Sequence, residues 1–238
     1  RESITKIYEK EGPDGDKLSK RHRAVSVMQY EEAGYLPDAM VNYLARLGWS
    51  HGDEELFTRE QLIGWFDGKH LAKSPAQWDV AKLNWVNAHY LKGTDDAALA
   101  TLVSNQLSRR GIEAAPNENL ARLCALFKDR CATTGELADW LGMYFVDVAP
   151  KAEDLAAHVT ELVRLALQTL RDKFTEIEWS KVAISAAIKE TITAHGLKMP
   201  QLAHAVRVLV CGRAQTPSID AVLELFPREI VLSRLRSL

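Results

Sequence analysis

Apolar residues recur at helical spacing along most of the chain. The clearest stripe places four apolar side chains on one helical face, namely Leu36, Met40, Leu44 and Leu47. Pro37 suits the first helical position and Gly48 suits the end, so the pattern predicts a helix between them. From Thr94 onward similar stripes follow one another, each interrupted by glycine or proline. The pattern predicts a mainly all-α protein built from short helices.

Capping signals indicate where several of the predicted helices begin and end. Thr58 with Gln61, and Thr133 with Glu136, have the spacing of capping boxes that open helices. Gly93 suits the end of one helix and Thr94 suits the cap of the next, which predicts a boundary there. Proline is expected at the first helical position at three further sites, Pro200, Pro217 and Pro227.

Two short stretches add detail to the expected fold. Residues 3–8 are rich in β-branched and aromatic residues, which predicts a short strand near the N-terminus. After the capping box at Thr58, Leu62, Trp65 and Phe66 share a helical face. We expect the two aromatic side chains to be buried, because helical apolar spacing is typical of a core face.

Composition and charge exclude several classes of protein. The 238 residues are enough for two or three small domains. A net charge of -2 and a pI near 6.4 argue against a protein that coats nucleic acid, so any RNA contact must be local. The three cysteines form no CxxC pair, and the histidines form no HxxxH pair, so neither a disulfide framework nor a metal site is expected.

The first residues of the chain and its hydropathy indicate where the protein is expected in the cell. No apolar run reaches the length of about 18 residues that a membrane span requires. The first residues are charged rather than apolar, so no signal peptide is expected and a cytoplasmic location fits. The chain lacks an initiator methionine, and we interpret it as a fragment of a longer protein.

A glycine-rich turn followed by a basic cluster is the most specific local motif. Residues 12–15 read Gly-Pro-Asp-Gly, and residues 17–21 read Lys-Leu-Ser-Lys-Arg. Lys17 and Lys20, with the Ser19 hydroxyl between them, suit a polyanion such as a triphosphate, whose developing charge they would stabilise. The alternative is a basic turn that is merely solvated.

Residues 17–21 resemble the KMSKS signature of class I aminoacyl-tRNA synthetases, in the KLSKR form of the glutamyl enzymes. Residues 34–37, Gly-Tyr-Leu-Pro, and residues 42–50, Asn-Tyr-Leu-Ala-Arg-Leu-Gly-Trp-Ser, extend the likeness. The chain is similar to the C-terminal half of the bacterial glutamate–tRNA ligase family over its whole length. Arg23 departs from the family pattern, which usually carries glycine there.

This resemblance implies a domain organisation. Residues 1–92 would hold the KMSKS-like loop and a small stem-contact domain. Residues 93–149 and 150–238 would form two helical subdomains of an anticodon-binding bundle. The full-length enzyme would use ATP with Mg²⁺ to join glutamate to its tRNA, as a monomer and away from membranes.

The resemblance also implies roles for individual residues in the nucleotide site. Lys17, Ser19 and Lys20 would contact ATP, and the two lysines would be catalytic only when the missing half is present. The family's HIGH motif is absent, so this fragment alone is expected to be inactive and to hold no bound cofactor.

Three groups of residues are candidates for tRNA contact. Lys82 and Asn84 lie in a segment similar to the family's stem-contact segment, although a helix packed by its tryptophans explains that segment equally well. Arg130 resembles the arginine that reads the last anticodon base, but pairing with Asp129 or a helix end is the alternative. A third group resembles the loop beside the anticodon bases, although a helix N-cap also explains its start: Thr216, Pro217 and Ile219.

Two non-catalytic functions stay open on the sequence alone. One is a natural truncated or split protein that only binds tRNA. The other is a helical protein-interaction module that has lost RNA binding.

Overall fold

The computed structural model describes residues 26–72 and 76–236. Within these ranges the chain forms thirteen α-helices and no β-strand, so the all-α prediction is confirmed. Only an isolated antiparallel bridge joins Trp49 to Leu71. The strand expected over residues 3–8 lies outside the described ranges.

The helices fall into two compact units, the first ending at Asp139 and the second beginning at Trp140. The first six are α1 (Val27–Ala33), α2 (Pro37–Gly48), α3 (Arg59–Trp65), α4 (Val80–Gly93), α5 (Asp96–Ser108) and α6 (Glu118–Phe127). The rest are α7 (Thr134–Leu141), α8 (Ala152–His158), α9 (Glu161–Glu176), α10 (Lys181–Ala194), α11 (Met199–Cys211), α12 (Ile219–Glu224) and α13 (Arg228–Arg234). Within the described residues, two 3₁₀ turns cover Lys128–Arg130 and Gly142–Tyr144. The domain boundaries expected near residues 92 and 149 stay predictions.

In the first unit α2 packs against α4, and α5 packs against α6. Their facing sides supply a core of fully buried side chains, including Leu83, Leu99, Leu107, Leu123 and Phe127. The second unit is built on α9, α10 and α11, and its core includes Leu167, Phe174, Ile184, Val206 and Leu209. No helix in the described ranges is both long and apolar enough to cross a membrane.

The caps confirm some of the predicted helix starts and correct others. Pro37 opens α2, and the capping box of Thr58 with Gln61 opens α3. The expectation for Thr94 is wrong: Asp95 caps α5, because its carboxylate accepts from the Ala97 and Ala98 N–H groups at 3.0 and 3.1 Å. The Thr94 hydroxyl instead donates back to the Tyr90 carbonyl at 2.7 Å.

The second predicted capping box forms in altered geometry. The Thr133 hydroxyl accepts from the Glu136 N–H at 3.1 Å, as expected. The Glu136 carboxylate, however, accepts from the N–H of Ala132 at 2.7 Å rather than from that of Thr133. The reciprocal bond is therefore displaced by one residue along the chain.

Proline positions and aromatic burial also depart from the predictions. Pro200 follows the first residue of α11, Pro217 precedes the cap Ser218, and Pro227 is itself the cap of α13. Trp49 is buried, but Phe66 is 50% exposed. The core expectation is wrong for Phe66, which follows the last residue of α3, and Trp65 is only half-buried.

Close packing of two glycines joins α1 to α7. Gly34 ends α1 with a φ of 93°, and its carbonyl accepts from the Thr134 N–H at 3.0 Å. A Cβ at Gly34 would lie 2.3 Å from the backbone nitrogen of Gly135, which is impossible without movement of the backbone. Both the conformation and the approach therefore require glycine at position 34.

Candidate nucleic-acid interface

The candidate ATP residues Lys17, Ser19 and Lys20 lie outside the described residues. The candidate RNA contacts fall in both units: Lys82, Asn84 and Arg130 in the first, and Thr216, Pro217 and Ile219 in the second. Each unit therefore has its own candidate surface.

Lys82 lies in the first turn of α4, where Asp79 caps the helix by accepting from the Lys82 N–H at 3.0 Å. The Lys82 ammonium forms an ion pair with the Glu55 carboxylate and lies 4.1 Å from the centroid of the Trp85 ring. Its side chain is 37% exposed, so the ammonium remains within reach of solvent. The neighbouring Trp85 is also exposed, which gives this face of α4 both a cation and an aromatic ring.

Asn84 is partly buried and makes a polar contact with a distant part of the same unit. The Tyr35 hydroxyl donates to its Oδ1 at 2.6 Å. Lys82 and Asn84 therefore both have partners within the first unit. Their intramolecular contacts fix the orientation of the N-terminal half of α4.

Asn87, one turn further along α4, is a polar residue to which the sequence assigned no role. Its side chain is fully buried. Its Oδ1 accepts from the Leu36 N–H at 2.7 Å, and its Nδ2 donates to the Ala132 carbonyl. Asn87 thereby ties the start of α2 to the segment that follows Arg130. An asparagine on the apolar side of a helix is the signal that points to such a buried contact.

Arg130 is the last residue of the 3₁₀ turn that continues α6, and it is exposed. Within the described ranges no hydrogen bond or ion pair engages its guanidinium, and the alternative pair with Asp129 does not form there. The arginine therefore presents its planar array of donors to solvent at the end of a fixed turn.

The turn at residues 215–219 is packed more tightly than a simple loop. Thr216 is 8% exposed, and its hydroxyl accepts from Arg207 Nε at 3.0 Å and donates to the Pro217 carbonyl at 2.8 Å. Pro217 and Ile219 are also buried. The N-cap of α12 is Ser218 rather than Thr216 or Pro217.

This turn borders an open cavity of about 300 Å³ within the second unit. Its lining combines apolar and polar side chains from α10, α11 and the start of α12, among them Met199, His204, Arg207, Ser218, Ile219 and Asp220. The cavity therefore offers an apolar wall, a guanidinium and a carboxylate within one concave surface. Arg207 lies at this cavity because it is on the helical face that meets the turn.

His204 stands beside His158, with 5.0 Å between the ring centroids. Partial burial, the neighbouring His158 and the Arg207 charge all lower the pKa of His204 from its ordinary value. The neutral imidazole is therefore favoured at this edge of the cavity.

The candidate metal-ligating side chains and the thiols are placed as follows in the described ranges. No group of three or more histidine, cysteine, aspartate or glutamate side chains there is arranged to hold a metal ion. Cys124, Cys131 and Cys211 are free and buried, and burial raises the pKa of each thiol to about 12. They pack as small apolar side chains.

Comparison with family models gives two matches. The family described as "Anticodon binding domain" matches residues 98–238. The family described as "tRNA synthetases class I (E and Q), catalytic domain" matches residues 2–85. The first match alone covers more than half of the chain.

Curated proteins and solved structures give the same result. The chain is 62% identical over 224 residues to the glutamate–tRNA ligase of Leptothrix cholodnii and 55% identical over 229 residues to that of Verminephrobacter eiseniae. Each alignment covers 94% of this chain and 48% of the relative, so the chain spans about half the length of these relatives. A glutamate tRNA ligase structure from Elizabethkingia meningosepticum has a TM-score of 0.82 at 22% identity, with 97% of this chain and 49% of that chain covered. The likeness to this structure shows a shared fold.

The matched residues confirm the resemblance that the KLSKR segment and the residues after it indicated. The chain belongs to the anticodon-binding-domain family and corresponds to the C-terminal half of bacterial glutamate–tRNA ligases.

Proposed function

We propose that this chain is the tRNA-binding portion of a glutamate–tRNA ligase, with a stem-contact surface on α4 and anticodon contacts in both units. The observation that carries the proposal is the exposed Arg130 guanidinium, which stands on a fixed turn inside the region matched by the anticodon-binding family. Sequence-specific RNA recognition typically targets unstacked bases in loops, which an anticodon provides.

Arg130 reads the last anticodon base in this proposal. Its guanidinium carries several donors in one plane, so it can make directed hydrogen bonds to a base edge. Lysine carries the same charge without this geometry. An Arg130→Lys variant should therefore keep the general affinity for RNA and lose discrimination at that base.

The cavity of the second unit accepts the other anticodon bases. Ile219 supplies an apolar wall, while Arg207 and Asp220 supply a donor group and an acceptor group. Thr216 and Pro217 shape this surface from beneath, because both side chains are buried. A nucleobase has apolar faces and polar edges, which matches such a lining.

Lys82 and Asn84 serve the stem of the tRNA. The partly exposed Lys82 ammonium next to Trp85 is placed to approach a phosphate. The Glu55 carboxylate holds the ammonium in position until RNA competes for it. Asn84 orients the same turn through its contact with Tyr35.

The catalytic part of the proposal concerns the longer protein. There ATP with Mg²⁺ activates glutamate before its transfer to tRNA, and Lys17, Ser19 and Lys20 contact the nucleotide. These three residues lie outside the described ranges, so no step is derived from their geometry. We further propose that the longer enzyme is a cytoplasmic monomer.

Filter binding with a glutamate tRNA tests the proposal. The chain should bind with an affinity that falls steeply as salt rises, since phosphate contacts release counterions. Arg130→Ala should weaken binding by roughly tenfold or more, the loss expected for one charged hydrogen-bonding group. Arg109→Ala is a matched control, because Arg109 is a half-exposed arginine of the same unit, 3.6 Å from the Glu31 carboxylate.

The two non-catalytic alternatives predict other results. A protein-interaction module would show no salt-sensitive tRNA affinity and no effect of Arg130→Ala. ATP–pyrophosphate exchange should be absent from the isolated chain, and robust exchange would contradict the requirement for the missing half.

A further inference from the structure

Lys128 begins the 3₁₀ turn that ends at Arg130, and its side chain is only 18% exposed. Its ammonium donates to the Thr94 carbonyl at 3.1 Å and lies 2.8 Å from Asp96 Oδ1. That carboxylate oxygen is buried and has no hydrogen-bond partner in the described part of the chain, so the charge of Lys128 is what compensates it there. One cation thus joins the turn to the end of α4 and the start of α5.

A second anchor holds the chain immediately after Arg130. Cys131 is 3% exposed, so its side chain is inserted into the core. The N–H of Ala132 donates to the Glu136 carboxylate, and the Ala132 carbonyl accepts from buried Asn87. Backbone groups on the C-terminal side of Arg130 are therefore fixed independently of Lys128.

The anchors contrast with the freedom of the arginine itself. Arg130 has a long side chain whose guanidinium is engaged by no group in the described ranges. Ordering such a side chain on a ligand costs conformational entropy, and this cost rises when its backbone is also mobile. Fixing the backbone on both sides reduces the conformational entropy that Arg130 loses when it binds a base.

We propose that Lys128 is a positioning residue for Arg130, and that its contacts with Thr94 and Asp96 set how well the protein distinguishes the last anticodon base. The inference rests on the proposed function, in which Arg130 reads that base. Lys128 itself touches no RNA in this arrangement, because its ammonium is already engaged inside the unit. Discrimination depends on aligned base contacts, whereas overall affinity depends mainly on phosphate contacts. Losing Lys128 should therefore reduce discrimination more than affinity.

The test uses the 238-residue chain and four anticodon stem-loop RNAs that differ only in the last anticodon base. The measured quantity is the ratio of Kd values for the altered and the cognate RNA. Lys128→Met keeps the length of the side chain and removes its charge, so it should lower this ratio by roughly three- to tenfold. Lys128→Arg should restore part of the ratio, since it keeps the positive charge that pairs with Asp96.

Lys92→Met is the matched control. Lys92 is an exposed lysine in the last turn of α4, close in sequence to Thr94, and no described group pairs with it. Its removal should change binding of all four RNAs by the same factor and leave the ratio unchanged. Asp96→Asn is a second variant for the case that Lys128→Met does not fold. It should also lower the ratio of Kd values, by a smaller factor than Lys128→Met.

The outcomes separate the inference from the function on which it rests. If Arg130→Ala loses discrimination while folded Lys128→Met keeps the wild-type ratio, the positioning role is wrong and the proposed function stands. If the wild-type chain shows no discrimination, or Arg130→Ala does not alter it, the reading role of Arg130 fails and the inference fails with it.

Discussion

The Nε atom of Arg207 donates a hydrogen bond of 3.0 Å to the hydroxyl oxygen of Thr216. The same hydroxyl donates to the Pro217 carbonyl at 2.8 Å, so both of its hydrogen-bonding roles are used. The contact joins α11 to the turn before α12. It holds the guanidinium-bearing side chain of Arg207 at the edge of the 300 Å³ cavity.

Thr216→Val keeps the shape of the side chain and removes its hydroxyl. We expect the free energy of unfolding to fall by about 1 kcal/mol, because a buried hydrogen-bonded pair is lost. Urea denaturation measures this change. Thr193→Val is the control, since Thr193 is exposed and its hydroxyl donates to the Lys189 carbonyl on its own helix, and its effect should stay within about 0.5 kcal/mol. Equal effects of the two variants would contradict a special role for the Thr216 contact.

Asn87→Ala should destabilise the first unit by at least about 2 kcal/mol, because it leaves the Leu36 N–H and the Ala132 carbonyl without their buried partner. Thermal and urea unfolding followed by circular dichroism measure the loss. Asn105→Ala is the matched control on an exposed position of α5, where alanine favours the helix and the change should be small. A small effect of Asn87→Ala would show that water replaces the amide.

The three thiols should be inert in the folded protein. Burial raises the pKa values of Cys124, Cys131 and Cys211 to about 12, so the reactive thiolate is a minor species at pH 8. A colorimetric disulfide reagent at pH 8 should modify all three cysteines in guanidinium chloride and react very slowly without it. Rapid reaction of any thiol under native conditions would show that its unit opens readily.

His204 should make the second unit less stable in mild acid. Its pKa is lowered in the folded protein by partial burial, by His158 and by Arg207, whereas the unfolded chain has the ordinary value near 6.5. As the pH falls through that value the unfolded state binds the proton first, so stability declines until the lower folded pKa is passed. The urea midpoint of the second unit, measured from pH 7.5 to pH 5, should show this decline.

His204→Gln should flatten the pH dependence, because glutamine keeps a polar side chain and does not titrate. His89→Gln is the control, since His89 is an exposed residue of the first unit. That variant should leave the decline of the second unit unchanged. A decline that survives His204→Gln would assign the effect to another group.

Local chemistry in the sequence was enough for much of the secondary structure. Pro37, the Thr58 capping box and Gly93 act within one helical turn, so their effects do not depend on distant residues. The prediction that Thr94 caps α5 is wrong because Asp95, its neighbour, offers a carboxylate that competes for the same N–H groups. Where two adjacent residues can both cap a helix, the path of the backbone decides which of them does so.

Burial of aromatic residues followed the tertiary packing rather than the pattern. Trp49 and Phe66 have similar apolar character, yet they are 4% and 50% exposed. A helical stripe shows that one face is apolar, but neighbouring elements decide how much of that face is covered.

The sequence alone determined the all-α class, most helix ends and the family, because caps, periodicity and the KLSKR segment are local signals. Only the tertiary structure decided which polar side chains are engaged. Lys82 meets Glu55, Asn84 meets Tyr35, and Thr216 is buried under Arg207, while Arg130 remains exposed. Each of these contacts joins a helix to a loop or turn elsewhere in its unit, and its geometry depends on how the chain packs.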